Sequence, residues 1–224
     1  MQHQIKKLRF KALTPILLYN LYHLRMKLFF ISLLICLSSF TTYKGAGEME
    51  TISELEIMRL TDHVNEIKAT AVTDHRYSNK IAFLVDMKIK SGKNRFFVYD
   101  LQNNKIIDQG LVAHGSGSET GVRGELKFSN VPNSNCTSLG RYSVEKSYTG
   151  IFGKAFRLNG LDESNSNALK RAIVLHQYSA VPYEEQDYYI TNSHGCPMVN
   201  EVFFKRLEKV IASSDAKIMM YVYY

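Results

Sequence analysis

Hydrophobic and polar positions follow two different periods along this chain. Between residues 50 and 67, apolar side chains recur every three to four positions with charged residues between them, which predicts one amphipathic helix. The sequence beyond it consists mostly of short apolar runs separated by clusters of Gly, Asn and Ser. That pattern is typical of antiparallel strands joined by hairpin turns. We therefore predict a mainly β domain with a few peripheral helices.

The same pattern can be divided into individual elements. The first helix is expected to cover one side of a sheet. Two further helices are predicted, a short one over residues 164–170 and a longer one over residues 200–212. The predicted strands cover residues 81–89, 95–100, 105–113, 140–145, 155–158, 172–177, 188–191 and 217–224.

The first 41 residues differ from the rest of the chain. They contain six Lys or Arg residues and no acidic residue, and an apolar run over 28–37 follows Met26. This pattern is typical of a secretory signal peptide, with Met26 as an alternative start. The run is shorter than the roughly 20 apolar residues of a membrane-spanning helix, so we expect no stable span after leader removal. Lipidation at Cys36 is the lesser alternative, because the bulky Ile35 precedes it.

Removal of this leader changes the charge balance and hence the expected partners. The 28 basic residues fall to 22 against 21 acidic ones, so the net charge drops from +7 to +1. The remainder has no basic footprint for nucleic acid. We expect an exported, periplasmic or envelope-associated monomer. Its organisation would be a leader over 1–41, a helical lead-in over 42–72 and one main domain over 73–224.

The run Ser193-His194-Gly195-Cys196 carries the clearest chemistry. A cysteine becomes an effective nucleophile when an imidazole takes its proton, and His176 lies upstream near the end of a predicted strand. Gly195 removes side-chain bulk, so substrate can approach backbone N–H groups able to hold an oxyanion. Cys196 also precedes a predicted helix, whose positive N-terminal end would favour a thiolate. The pattern predicts acyl transfer through a thioester.

The other histidines and cysteines leave alternatives open. His176 is the better general base because it comes from a separate strand, whereas His194 shares the turn of Cys196 and could orient the site or bind substrate. His114 ends a strand in a glycine and serine loop, where a structural role and a substrate-cleft role both fit. Cys136 could form a disulfide with Cys196, which would silence the nucleophile.

A zinc site built from the same side chains is a further alternative. His114, His176, His194 and Cys196 are all suitable zinc ligands. Their spacing matches no familiar paired-ligand pattern, however, and no carboxylate obviously accompanies them. We therefore expect neither a metal nor a cofactor.

A linked set of segments resembles one known family. The segments are residues 112–118, 128–130, 138–142, 171–176 and 193–199. Together they are similar to the signature of the murein L,D-transpeptidases of bacterial peptidoglycan, the YkuD-like catalytic domain. The resemblance covers roughly residues 75–200. It implies a mainly β, sandwich or barrel-like domain that acts on peptidoglycan stem peptides.

The resemblance also implies a mechanism. Cys196 would attack the carbonyl between a diamino acid and the terminal D-alanine of a tetrapeptide stem. His176 would deprotonate Cys196 and later activate an acceptor amine, whose attack on the thioester forms a 3-3 cross-link. Water as the acceptor would make the site an L,D-carboxypeptidase. A thioester mechanism needs no metal or cofactor.

Further residues receive roles from the same resemblance. The N–H groups of Gly195 and Cys196 would form the oxyanion hole, and a nearby carbonyl, that of Gln177, would orient the histidine. Ser193 and His194 complete the catalytic turn. The implied substrate-binding positions are His114, Ser138 and Arg171.

One position departs from the broader family. Arg or Asn usually occupies the second position after the cysteine, where this chain has Met198. The departure keeps two alternatives open beside the transpeptidase. One is a non-catalytic peptidoglycan-binding domain with the family fold, and the other is a generic cysteine peptidase.

Overall fold

The computed structural model describes residues 53–151 and 153–224. The predicted leader over 1–41, with Cys36, and the first part of the helical lead-in lie outside the described residues. Over the two described ranges, no helix is both long and apolar enough to cross a membrane.

Eight strands form one mixed sheet. In chain order they are β1 (Tyr77–Asp86), β2 (Phe96–Asp100), β3 (Lys105–Gly110), β4 (Gly140–Gly150), β5 (Gly153–Gly160), β6 (Val174–Gln177), β7 (Met198–Val199) and β8 (Lys217–Tyr223). They are hydrogen-bonded in the order β3-β2-β1-β8-β4-β5-β6-β7. Strand β1 is parallel to β8 and β6 is parallel to β7, whereas the other neighbours are antiparallel. The prediction of a mainly β fold is confirmed.

The two edges of this sheet meet beyond the end of β3. Ala113 forms an antiparallel bridge with Met198 of β7, and the Ala113 N–H donates to the Met198 carbonyl at 2.8 Å. Met198 is also paired in register with His176 of β6. The contact gives the sheet the barrel-like character that the resemblance implied. It also brings the segments around residues 113, 176 and 198 side by side.

One helix covers the outer face of the sheet. Helix α1 (Glu54–Thr73) begins at Ser53, whose side chain and that of Glu56 form a reciprocal capping box. The apolar stripe of α1 packs against alternate residues of β1, β2 and β8. The packed side chains include Leu60, Val64, Ile67, Ala71, Ala82, Leu84, Phe97 and Met219. The helix predicted over 50–67 is confirmed and extends six residues further.

A second helix fills the opposite, concave face. Helix α2 (Glu201–Ala212) begins at Asn200, whose side chain accepts a hydrogen bond from the Phe203 N–H at 2.8 Å. Its apolar residues enter the main core, which also contains the inward-facing residues of most strands. This core includes Phe83, Phe96, Val144, Phe156, Leu175, Phe203, Phe204 and Leu207. The prediction of a helix over 200–212 is confirmed.

Two of the predicted elements are wrong. Residues 188–191 do not form a strand, because their backbone is bound to a loop: the Ile190 N–H donates to Ser91 Oγ at 3.2 Å. Residues 164–170 form only a 3₁₀ turn, Glu163–Asn165, followed by further turns. The second segment leads into Ala172, which has a positive φ of 54°. A regular helix cannot continue through that conformation.

The cap of α2 provides a test of this part of the fold. Asn200→Ala removes the cap and the hydrogen bond from Asn200 Nδ2 to the Pro182 carbonyl at 3.2 Å. We expect a loss of about 1 kcal/mol in the free energy of unfolding, measured by urea denaturation. Asn200→Asp is the control, since it keeps the capping oxygen. Equal losses in the two variants would show that the cap contributes nothing.

Candidate active site

The turn Ser193 to Cys196 is held by the Ser193 side chain. Ser193 Oγ accepts a hydrogen bond from the Gly195 N–H at 3.0 Å and donates one to the Cys196 carbonyl at 2.6 Å. The Ser193 backbone is fixed as well, because its N–H donates to the His114 carbonyl at 2.8 Å. The serine is thus a brace for the turn, and its hydroxyl is fully used inside the protein.

Gly195 lies where a larger residue does not fit. Its φ is +113°, and a Cβ at this position would lie 2.8 Å from the Cys136 carbonyl oxygen. Gly115 approaches the same turn so closely that its own Cβ would lie 2.8 Å from the Gly195 Cα. Both contacts involve backbone atoms, which cannot move aside as a flexible side chain can. The nucleophile turn therefore depends on two glycines.

The structure changes one expectation about the oxyanion hole. The Gly195 N–H is already bonded to Ser193 Oγ, so it is not available to an oxyanion. The N–H groups of His194 and Cys196 make no hydrogen bond within the described ranges. The Gly195 N–H of the donor pair inferred from the resemblance is thus occupied in this structure, and its role in an oxyanion hole stays a prediction. The Cys196 N–H keeps that role open.

His176 is oriented by a main-chain carbonyl. Its Nδ1 lies 3.0 Å from the Gln177 carbonyl oxygen, which can only accept, so Nδ1 carries the proton and Nε2 has the lone pair. The side chain is buried, and burial lowers its pKa, although the bond to Gln177 acts in the opposite direction. The imidazole is neutral at pH 7. This is the tautomer that a general base requires.

The backbone of strand β6 contacts the Cys196 turn at two points. The Val174 N–H donates to Cys196 Sγ at 3.4 Å, and the His176 N–H donates to the Pro197 carbonyl at 3.4 Å. Val174 and His176 are two residues apart and therefore lie on one face of the strand. Both candidate residues, twenty positions apart in the sequence, are thus tied to one strand, His176 as a member of it and Cys196 through its sulfur.

The Cys196 thiol is protonated at rest. Burial raises its pKa above the ordinary value of 9.0, and the Val174 hydrogen bond and the charge of Arg171 only partly oppose this. The expected help from a helix is missing, because α2 begins at Glu201, after β7, and carries that acidic residue in its first turn. At rest Cys196 is a thiol and His176 is a neutral imidazole.

Arg171 and Ser138 are used inside the protein. Arg171 Nη1 donates to the Ser129 carbonyl at 2.9 Å and to Ser138 Oγ at 3.1 Å, and Nη2 donates to the Cys136 carbonyl at 2.5 Å. Ser138 Oγ is also 2.7 Å from the Tyr142 hydroxyl. Arg171 therefore clamps the backbone that packs on Gly195. The geometry gives both residues a supporting position rather than a free substrate-binding one.

The histidines other than His176 lie in different places. His194 is exposed on the nucleophile turn. The His114 ring is buried and points into a neighbouring cavity whose lining includes neither Cys196 nor His176. His114 nevertheless reaches the turn through its carbonyl, which accepts from the Ser193 N–H. The structure thus separates His114 from the cysteine pair.

The described cysteines and potential metal ligands form neither a disulfide nor a metal site. Cys136 and Cys196 are both free thiols, and Cys136 Sγ donates to the Gly117 carbonyl at 3.0 Å. Across the described part of the chain, no three His, Cys, Asp or Glu side chains are grouped as a metal site. The structure therefore does not contain the alternative disulfide.

The Met198 side chain is buried among apolar residues. It is 5% exposed and packs in a small apolar cluster with Leu111, Ala113, Val181 and Ile190. The nearest cationic influence on Cys196 comes instead from Arg171. Two features that sequence patterns did not reveal also contribute: the Val174 N–H and the Ala172 carbonyl, 3.8 Å from Cys196 Sγ. Backbone groups carry no sequence signal.

Comparisons with known proteins place the chain. Solved structures with similar folds include an L,D-transpeptidase from Mycobacterium smegmatis, with 11% identity, TM-score 0.39 and coverage of 65% of this chain and 59% of that chain. A protein from Bdellovibrio bacteriovorus has 18% identity, TM-score 0.41 and coverages of 65% and 48%. The helical cell shape determining protein of Campylobacter jejuni has 13% identity, TM-score 0.43 and coverages of 64% and 47%.

The chain therefore spans about half to three fifths of the length of these structures. No curated protein sequence matches it. The L,D-transpeptidase catalytic domain family, in contrast, matches residues 52–223, which is most of the chain and nearly all of its described part. The chain belongs to the L,D-transpeptidase catalytic domain family.

Proposed function

We propose that this chain is an exported cysteine L,D-transpeptidase that acts on peptidoglycan tetrapeptide stems through a thioester on Cys196. The observation that carries the proposal is the arrangement on β6. His176 has its Nδ1 proton fixed on the Gln177 carbonyl, and the same strand holds the Cys196 sulfur through the Val174 N–H. Membership of the family supplies the substrate class.

The acylation step follows from the neutral resting pair. His176 Nε2 takes the thiol proton as Cys196 Sγ attacks the carbonyl between the diamino acid and D-alanine. The developing oxyanion is stabilised by the Cys196 N–H, which has no hydrogen-bond partner among the described residues. The C–N bond then breaks, and the proton on His176 passes to the departing nitrogen of D-alanine. A thioester and free D-alanine result.

The second step regenerates the thiol. An acceptor amine from another stem attacks the thioester, His176 Nε2 removes the amine proton, and that proton returns to Cys196 Sγ as the C–S bond breaks. The product is a 3-3 cross-link. Water in the place of the amine gives L,D-carboxypeptidase trimming. Neither step requires a cofactor.

Export fits this substrate. The basic leader with its short apolar run would deliver the domain to the periplasm or cell envelope, where peptidoglycan stems are found. A free thiol there must avoid oxidation. Burial, which keeps Cys196 protonated, lowers the thiolate fraction that oxidants attack.

Acylation of the intact protein tests the nucleophile. A carbapenem should add its mass once to the protein and to Cys136→Ala, and not at all to Cys196→Ala, as measured by mass spectrometry. With a disaccharide tetrapeptide, the first two proteins should release D-alanine or form dimers. Muropeptide binding without a covalent adduct would favour the non-catalytic binding domain, and cleavage of unrelated L-peptides would favour a generic peptidase.

The pH dependence of Cys196 labelling tests the influence of burial and of the Arg171 charge on the pKa of the thiol. In a Cys136→Ala background, iodoacetamide should label Cys196 with a midpoint above pH 9.0, because burial raises its pKa. Removing a cation disfavours the thiolate, so Arg171→Gln should shift the midpoint upward by up to about one unit. Arg171→Lys, which keeps the charge, should move it less. An unchanged midpoint in Arg171→Gln would refute the influence of this charge.

Gly195→Ala tests the close packing of the turn. The change places a Cβ against the Cys136 carbonyl and adds backbone strain of about 1–3 kcal/mol. We expect acylation to slow on the order of 10²-fold, because the sulfur is displaced. Gly121→Ala is the matched control, since Gly121 has φ +81° but no atom within 4 Å of the added Cβ. It should show the strain in urea denaturation and acylate normally.

A further inference from the structure

Arg95 is a buried cation without a carboxylate partner. The side chain is only 1% exposed, and no ion pair to it exists in the described part of the chain. Asp86, the buried carboxylate whose charge acts on it, is bonded to Arg59 at 2.7 Å. Burial lowers the Arg95 pKa to about 9, so the group stays mostly charged at pH 7. The charges of Asp86 and Glu119 act on Arg95 through space, so the cost of burying its charge is only partly compensated.

The described hydrogen bonds of Arg95 use all but one of its side-chain N–H groups. Nε and Nη2 donate to the Val112 carbonyl at 3.0 and 2.8 Å, and Nη1 donates to the Ile89 carbonyl at 3.1 Å. Nη2 also lies 2.9 Å from His114 Nδ1. These four bonds engage four of the five N–H groups of a guanidinium. One N–H on Nη1 has no hydrogen-bond partner among the described residues.

His114 does not add to the positive charge. Because arginine can only donate, the contact from Arg95 requires a bare Nδ1 on His114, and the ring proton lies on Nε2. Nε2 then donates to Glu119 Oε1 at 2.7 Å. Burial and the Arg95 charge both lower the His114 pKa, although Glu119 acts in the opposite direction. The ring is therefore a neutral link between Arg95 and Glu119.

Arg95 and His114 line a cavity of about 230 Å³. Pockets for drug-sized ligands are typically about 300–1,000 Å³, so this one accepts a group of amino-acid size. The charged side chains around it favour an anion, since four cations face two acids. They are Arg95, Lys88, Lys90, Arg123, Glu119 and Glu125. The walls are apolar and come mainly from Met87, Ile89, Val122, Leu126 and Tyr189.

The cavity is joined to the nucleophile turn by hydrogen bonds. Asn192, the residue before the turn, donates from Nδ2 to Glu119 Oε1 at 3.2 Å. The His114 carbonyl accepts from the Ser193 N–H at 2.8 Å. A ligand in the cavity would thus lie beside the turn that carries Cys196 without occupying the cysteine cleft.

We propose that this cavity is a binding site for a carboxylate carried on a small, partly apolar group, with the spare N–H of Arg95 as its donor and Lys88, Lys90 and Arg123 attracting it. A stem peptide ending in D-alanine and a free D-amino acid both offer this chemistry. Naming stem peptides as the source rests on the proposed function. The preference for a carboxylate does not.

Calorimetric titration of the full chain with Cys196→Ala, which prevents turnover, tests the site. The probes are a disaccharide tetrapeptide with a free C-terminal carboxylate, the same compound with a C-terminal amide, and D-alanine. The free acid should bind at least about tenfold more tightly than the amide, as expected for a charge-assisted hydrogen bond to a buried donor. Tight binding of D-alanine alone would support the site and name the free amino acid as the source.

Variants at the rim assign that preference to the cavity. Lys90→Gln with Arg123→Gln should weaken binding of the acid about threefold to tenfold, as two partly exposed charges would, and leave the amide unchanged. Lys105→Gln with Lys146→Gln removes two exposed cations elsewhere and should change neither. Arg95→Gln should remove the preference if it folds, which the melting temperature checks. An acid preference that is equal in the rim and control variants would overturn the proposal.

The two proposals can fail separately. Carbapenem acylation of the unaltered chain reports on the nucleophile, whereas the rim variants report on the cavity. Normal acylation without any carboxylate preference would overturn the cavity site alone. A rim-dependent carboxylate preference without acylation would overturn the transpeptidase alone.

Discussion

The main chain of Met198 joins the two halves of the candidate site. The Met198 carbonyl accepts a hydrogen bond from the N–H of Ala113, which follows β3. Its strand, β7, is paired with β6, which carries His176. Without this closure, the segment around His114 would not be joined to the edge of the sheet that carries the Cys196 turn and His176. The side chain of Met198 packs in an apolar cluster. A buried apolar side chain here stabilises the join, and a charged one would be costly to bury.

Most polar side chains around Cys196 support the backbone rather than face a substrate. The Ser193 hydroxyl holds the turn through two hydrogen bonds. The Arg171 guanidinium donates to the carbonyls of Ser129 and Cys136 and to Ser138 Oγ. Such satisfied networks hold a site rigidly, since each buried polar group would lose its partner if it moved. Burial keeps the candidate base His176 and the candidate nucleophile Cys196 neutral. The charge needed for reaction would then develop only when substrate is attacked.

Some of this arrangement was predictable from the sequence and some was not. The two longer helices and most strands follow from apolar periodicity, because one face of each is buried. Residues 188–191 have a strand-like composition, yet their backbone bonds to Ser91 in a neighbouring loop instead of pairing with another strand. The two-residue strand β7 is too short for any periodicity. His114 ends a predicted strand near the turn, but its ring points into a different cavity.

The sequence by itself determined the family, the strand-rich fold, and the pairing of His176 with Cys196 as candidate base and nucleophile. These depend on residue types at fixed spacings, and such spacings can be read directly from the sequence. Only the tertiary structure decided the protonation of the pair, the occupied Gly195 N–H, the supporting position of Arg171 and the burial of Arg95 at a cavity. Burial and hydrogen-bond partners set these properties, and both come from residues far apart in the chain.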